Sequence, residues 1–355
     1  MVKDAIATYN AAQRRKRTAI LVVLVVIIAV LAVFSIAQTR YPTTFQQAWQ
    51  VIINHLTGVK PVTYDDVMRD QFVFNQDVPR VICAIAIGAS LAVCGAVMQS
   101  ITHNPLTDPY TMGLSSAALL GVNISIILGI AIIPGLPRDW TTITNAFIFT
   151  MVPAAIIIFL TTFRKLNSTM MVLSGIGIMY VFTAFSTFIK INAEPEKLDE
   201  VYRWTVGTLS MVTWDAVLPL IMVTIASCVV MTIMGKRLNI LTTGDRTAQS
   251  LGVNPIRTRG FCFLIIAIVV ATCVSFSGTI GFVGLVAPHI TRLFTGNNNR
   301  ILLPFSAIVG ALLLLVADTI VRMIPYGLPA GVITALIGSP LFIYFLYRQR
   351  KTETF

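Results

Sequence analysis

Two stretches decide the fold: Gly95–Gly113, GAVMQSITHNPLTDPYTMG, and Ser277–Arg292, SGTIGFVGLVAPHITR. Each interrupts a run of apolar residues with glycine and proline. Unbroken Leu, Ile and Val would be enough to cross a bilayer. Broken backbone at membrane depth is tolerated only where protein or a water-lined path satisfies the freed N–H and C=O groups. One such break in each half of the chain points to a transporter with internal symmetry.

The surrounding sequence sets the solvent. Of 355 residues, 56% are hydrophobic and 12% charged, and the mean hydropathy is +0.81. The expected class is an all-α polytopic membrane protein, most of whose surface meets lipid. The net charge of +11 does not signal nucleic acid, because the basic residues fall in short clusters between apolar runs, with no basic face interleaved with aromatics. Cys83, Cys94, Cys228, Cys262 and Cys273 lie in or beside apolar runs, without CxxC or Cys/His spacing. They read as buried free thiols. Arg14–Arg17 (RRKR) precedes an apolar run, Ala19–Ala37, too long for a signal-peptide core, so this run reads as an uncleaved first helix.

Ten spans are predicted, at 19–38, 80–102, 111–133, 142–162, 170–190, 213–234, 257–276, 282–294, 301–321 and 328–347. The eighth is too short to cross alone. With the N-terminus inside, 17 Lys and Arg fall inside and 9 outside, and the acidic run Glu194, Glu196, Asp199, Glu200 falls outside. Both termini are then expected in the cytoplasm. Spans two to five and seven to ten read as inverted repeats, the first break lying inside and the second outside. The expected organisation is one transmembrane domain over 1–355. It has a cytoplasmic segment 1–18, a cytoplasmic loop 235–260, a cytoplasmic tail 348–355, and a long outer loop near 39–79 that forms no domain.

No GxxxxGK[ST], HExxH, GxSxG or metal-spaced cluster occurs, and His55, His103 and His289 are far apart in sequence. No enzyme activity, catalytic residue or metal site is therefore expected. The spans are almost empty of charge. The exception, Asp318 in LLLLVADTIVR, reads as an i,i+4 partner of Arg322, with a proton-coupling role as the lesser alternative. His289, after Pro288, reads as a structural hydrogen-bonding group. A transporter body without an engine of its own points to energy from a separate subunit. The largest inside loop, Gly235–Gly260, can form a short helix from about Thr243 to Leu251. Asp245 would lie near its positive N-terminal end, Gly252 would close its C-terminus, and Ala248 and Leu251 would make an apolar edge for a partner's groove.

These segments together carry a resemblance. VPRVICAIAIGASLAVCGAVMQSITHNPLTDPYTMGLSSAALLG (78–121), TTGDRTAQSLGV (242–253), SGTIGFVGLVAPHITRLFTGNNNRILLPFSAIVGALLLLVADTIVR (277–322) and LPAGVITALIGSPLFIYFL (328–346) resemble the FecCD-type, or type II, permeases of ATP-binding-cassette importers for iron–siderophores, haem and cobalamin. The resemblance covers about residues 19–350. It implies ten transmembrane helices per subunit and a second permease subunit, identical or not. It also implies two ATPase subunits that bind ATP and Mg, an extracytoplasmic solute-binding protein, and no cofactor in this chain. The location it implies is a bacterial inner or archaeal plasma membrane.

By the same resemblance Gly244, Asp245, Ala248, Leu251 and Gly252 couple to the ATPase, and Asn104, Leu106, Ser168 and Thr169 form the cytoplasmic gate. Arg80 and Arg322 meet the binding protein. The pathway helices, about 171–189 and 328–347, carry Ser174, Gly175, Gly177, Ala184, Ala330, Gly331, Ala335 and Gly338, small residues that also suit plain helix packing. Asp77 departs from the family pattern, in which arginine is common at that place. Asp108 and Ser168 are candidate N-caps. The rival readings are an ion-coupled secondary transporter with inverted repeats, and a channel. Siderophore, haem, corrinoid and, as a minority reading, an oxyanion all stay open as cargo.

Overall fold

The computed structural model describes residues 2–324 and 328–352; positions 353–355 of the expected tail lie outside the described residues. Among the described residues every regular element is helical. The chain begins with α1 (Val2–Ile36), and α2 (Phe45–Thr57) and α3 (Tyr64–Phe72) follow on the outer side. A π-helical turn at Val73–Asp77 joins α3 to α4 (Val78–Thr102). Then come α5 (Leu114–Ile126), α6 (Arg138–Phe163), α7 (Ser168–Lys190), α8 (Pro195–Thr205), α9 (Trp214–Leu241), α10 (Asp245–Ser250), α11 (Pro255–Ser277), α12 (Val283–Thr295), α13 (Asn299–Met323) and α14 (Ala330–Thr352).

Among the described residues seven helices are long and apolar enough to cross a membrane. The third and eighth expected spans are half-length: α5 and α12 have 13 residues each. At about 1.5 Å per residue each covers roughly 20 Å, short of a hydrocarbon layer of about 30 Å. The expected span 111–133 is thus corrected to a helix over 114–126, with irregular backbone on either side. Both half-helices start from a left-handed residue, Gly113 at φ 79° and Phe282 at φ 68°. Glycine takes that conformation freely, and Phe282 must be held in it by its surroundings.

The helix series repeats. A helix of 25 residues, a break, and helices of 13, 26 and 23 residues make up α4–α7. Helices of 23, 13, 25 and 23 residues make up α11–α14. Contacts fix the ends. Arg17 donates to Thr295 O, and His103 bonds Leu241 O, at one end. Arg322 reaches Ser35 O and Asp77, and Trp214 donates to Phe74 O, at the other. The first break therefore faces the N-terminal basic end and the second the opposite end, which is the inverted arrangement.

The outer segment 39–79 is more ordered than expected. Capping boxes start both of its helices, Thr44 with Gln47 and Thr63 with Asp66. Those T-x-x-Q and T-x-x-D signals were present in the sequence. Ala48 and Val73 anchor the segment against Ala37.

The core is centred on α4, almost all of which is buried. Its glycines set the spacing. A Cβ at Gly88 would overlap the carbonyl of Gly310 on α13, and one at Gly95 the carbonyl of Gly284 on α12. Backbone-to-backbone packing of this kind gives dispersion contacts where lipid supplies no hydrophobic drive between helices. Gly95→Val should lower stability by about 1–3 kcal/mol or more. Gly177→Ala, where a Cβ meets nothing within 4 Å, should stay within about 0.5 kcal/mol. Thermal unfolding of the purified variants in detergent checks both.

Candidate functional site

The inner end is built around Arg259. Its side chain is only 1% exposed, on the first turns of α11. Nη1 and Nη2 grip Asp245 Oδ2 and Oδ1 at 2.7 and 2.6 Å, and Nε donates to Ile101 O at 2.9 Å. One guanidinium thus joins the first residue of α10 to a carbonyl freed where α4 ends. A bidentate, charge-assisted pair is among the stronger bonds available to a folded chain. The Arg259 hydrogen bond holds the Asp245 carboxyl below the usual carboxylate range.

The short helix is six residues, Asp245–Ser250, rather than Thr243–Leu251, and α9 and α11 take up much of the expected loop 235–260. Gly244 precedes it, and Gly252, at φ 79°, closes it by donating to Gln249 O. Ala248 and Leu251 do not form one exposed edge. Ala248 is fully buried against the helical body, whereas Leu251 is 59% exposed. Asp245 and Ala248 therefore seat the helix, and Leu251 projects from it.

The first break folds back beneath this helix. Asn104 Oδ1 accepts from Leu106 N, Asp108 Oδ1 from Thr111 N, and His289 Nε2 meets Pro105 O at 3.1 Å. His289 is thus a structural hydrogen-bonding group, and Asp108 caps the short helical turn Pro109–Met112. Leu106 is exposed. At the start of α7 the cap is Asn167, which accepts from Met170 N, one residue before the expected Ser168. Ser168 is half-buried and Thr169 exposed in the first turn.

At the outer end Arg80 and Arg322 are not displayed. Arg80 donates three bonds to Asp318, at 2.7–3.1 Å. Arg322 bonds Asp318 at 3.0 Å, Asp77 at 2.9 Å and Ser35 O at 3.1 Å. All four charged side chains are buried or nearly so. The expected Asp318–Arg322 pair is present within a larger balanced network. The unusual Asp77 supplies its second negative charge, and no exposed cation remains at Arg80 or Arg322 for a docking partner.

The small residues of α7 and α14 divide into two sets. Gly175 packs on Met112, Gly331 on Val206 O and Gly338 on Phe282, each without room for a Cβ; Ala330 is buried. Gly177 and Ala184 are exposed, Ser174 half-buried, and Ala335 lines an open groove along α14 of about 550 Å³. The free faces of the two helices carry Tyr180, Val181, Phe185, Leu336 and Ile343, all more than half exposed. Among the described residues no cluster of His, Cys, Asp and Glu could hold a metal, and all five cysteines are unbridged.

Two oppositely oriented half-helices between long apolar helices, with a short helix tethered at the inner end, define a polytopic membrane transport protein. The chain belongs to the FecCD transport family, whose pattern matches residues 24–348. It is 36% identical over 327 residues to an ABC transporter permease protein of Methanocaldococcus jannaschii, covering 90% of this chain and 91% of that one. It is 34% identical over 282 residues to the hemin transport system permease protein HmuU of Yersinia pestis, covering 79% and 84%. A solved metal-chelate-type ABC transporter in an inward-facing conformation superposes with a TM-score of 0.80. Identity there is 28%, over 93% of this chain and 99% of that one.

Arg259 was not legible as a site residue. Arg259 counted only as one of the inside cations, although its place within an apolar helix, near Asp245 in sequence, was a usable signal. Asp245→Asn should leave the buried guanidinium without its counter-charge. Amides over 242–254 should then exchange at least about tenfold faster in hydrogen–deuterium exchange at neutral pH. Since the folded-state pKa of Asp245 is depressed, the wild-type tether is complete above the usual carboxylate range. It should loosen only as pH falls through that depressed value.

Proposed function

We propose that this chain is the membrane-spanning permease subunit of an ATP-binding-cassette importer, forming the pathway for a large metal chelate or macrocycle. The cargo class is an iron–siderophore, haem or a corrinoid. Relatives named for iron chelatin, hemin, cobalamin and ferric dicitrate transport support that class, and a relative named for molybdate import keeps an oxyanion as the minor reading. A second permease copy or homologue packs against the free faces of α7 and α14. Two ATPase subunits, which carry ATP and Mg, engage α10 from the cytoplasm, where both termini lie, and a solute-binding protein delivers cargo on the outer side. This chain itself catalyses nothing and holds no cofactor.

The observation that carries the reading is α10. It is a short helix locked to the body on one side by Asp245 and Ala248, with Leu251 standing out on the other. An apolar anchor on a rigid base suits a partner's groove, and its tether runs through Arg259 directly to the first break. Gly244 and Gly252 bound the helix, Asn104 and Leu106 form the gate beside it, and Ser168 and Thr169 complete that gate at the start of α7. The ion-coupled alternative needs a carboxyl that exchanges protons within the spans. Asp318 is instead tied to both Arg80 and Arg322 in the buried network at the outer end.

The test uses the chain assembled with its ATPase and binding protein in nanodiscs. Leu251→Asp should weaken ATPase association by roughly tenfold or more and abolish stimulation of ATP hydrolysis by loaded binding protein. Unchanged association and stimulation would remove α10 from the coupling role.

A further inference from the structure

We propose that the inner face carries a binding site for a small phosphate-type oxyanion, centred on Arg292 and Gln99. The two residues line a cavity of about 680 Å³ between the first break, α12 and α13. His103, His289 and Asn299 share its wall, and no Asp or Glu does.

Arg292 is the central observation. It is half-buried near the end of α12, and its hydrogen bond is to the neutral Gln99, Nη1 to Oε1 at 2.6 Å. Among the described residues no carboxylate pairs with it. Three other buried arginines have acidic partners, Arg80 with Asp318, Arg259 with Asp245, and Arg322 with Asp77 and Asp318, whereas the half-buried Arg17 donates to Thr295 O. A cation taken out of water without a counter-charge is costly, and a bound anion removes that cost.

Gln99 supplies the second, independent sign. It is 4% exposed, and its Nε2 is buried with no hydrogen-bond partner. The amide cannot be turned to relieve this, because an arginine N–H requires the carbonyl end. The two donors of Nε2 are therefore fixed beside the guanidinium. A tetrahedral oxyanion accepts from the guanidinium, and from Nε2 once a side-chain shift opens that buried nitrogen to the cavity. His103 and His289 point Nε2 at the carbonyls of Leu241 and Pro105, so they hold the cavity walls to the α9 end and to the break. An anion seated there bridges α4, α12 and the loop that carries Asn104. The site stands whether or not the transport reading does.

The probe is inorganic phosphate. Equilibrium dialysis of radiolabelled phosphate against the purified full chain in lipid-free detergent, at constant ionic strength with chloride, should show one saturable site. Arg292→Gln and Gln99→Met should each weaken it by at least about tenfold, in variants whose unfolding midpoints show that they are folded. A second arm uses nanodiscs of phosphatidylglycerol or phosphatidylcholine: loss of phosphate binding only with the anionic lipid assigns the seat to a lipid phosphate, and retention assigns it to the free anion. No saturable binding by the wild-type chain overturns the proposal, as does undiminished binding by a folded Arg292→Gln.

Discussion

Carbonyls released where a helix stops inside an apolar layer have to be met from within the protein, and that constraint organises this molecule. Where α4 ends and the break begins, Ile101 O takes Arg259 Nε and Pro105 O takes His289 Nε2, while His103 in the break donates to Leu241 O at the end of α9. These bonds fasten α11, α12 and α9 to the first break. The same guanidinium that meets Ile101 also grips Asp245. Mechanical connection between the short inner helix and the broken segment follows from hydrogen-bond satisfaction alone.

The second break obeys the same rule with backbone donors. Thr208 N reaches Ser277 O and Gly331 N reaches Gly207 O, so the turn after α8 and the start of α14 close around residues 277–282. At that outer end the buried charges balance: Asp77 and Asp318 face Arg80 and Arg322. A network of this kind is weak evidence for added stability, but breaking it by removing one partner strands a buried charge. Between the ends, α4 lies backbone against backbone with α12 and α13 at Gly95 and Gly88. Both ends of the central helix are therefore tied, and its middle has no slack for a larger side chain.

The two breaks were legible in the sequence because Gly and Pro announce lost helical hydrogen bonds, and the repeat order followed from their placement. The half-length of α5 was not, because the residues after Ile126 remain apolar and hydropathy does not register where hydrogen bonding stops. Ala248 and Leu251 shared an edge by spacing, yet spacing does not say on which side the body lies. Arg80 sat at the outer end of a span, where an exposed cation is the ordinary reading, and its partner Asp318 is 238 residues away. The outer helices α2 and α3 carried capping boxes that a search for membrane spans passes over.

The central claim is that a body with no engine of its own is driven through a helix clamped to its first break. Uptake into proteoliposomes holding this chain with its ATPase and binding protein tests it most directly, with labelled ferric siderophore, haem and cobalamin supplied in turn. The account predicts accumulation of one of them that requires ATP on the α10 side and ignores an imposed proton or sodium gradient. Accumulation that follows the gradient and ignores ATP would contradict it.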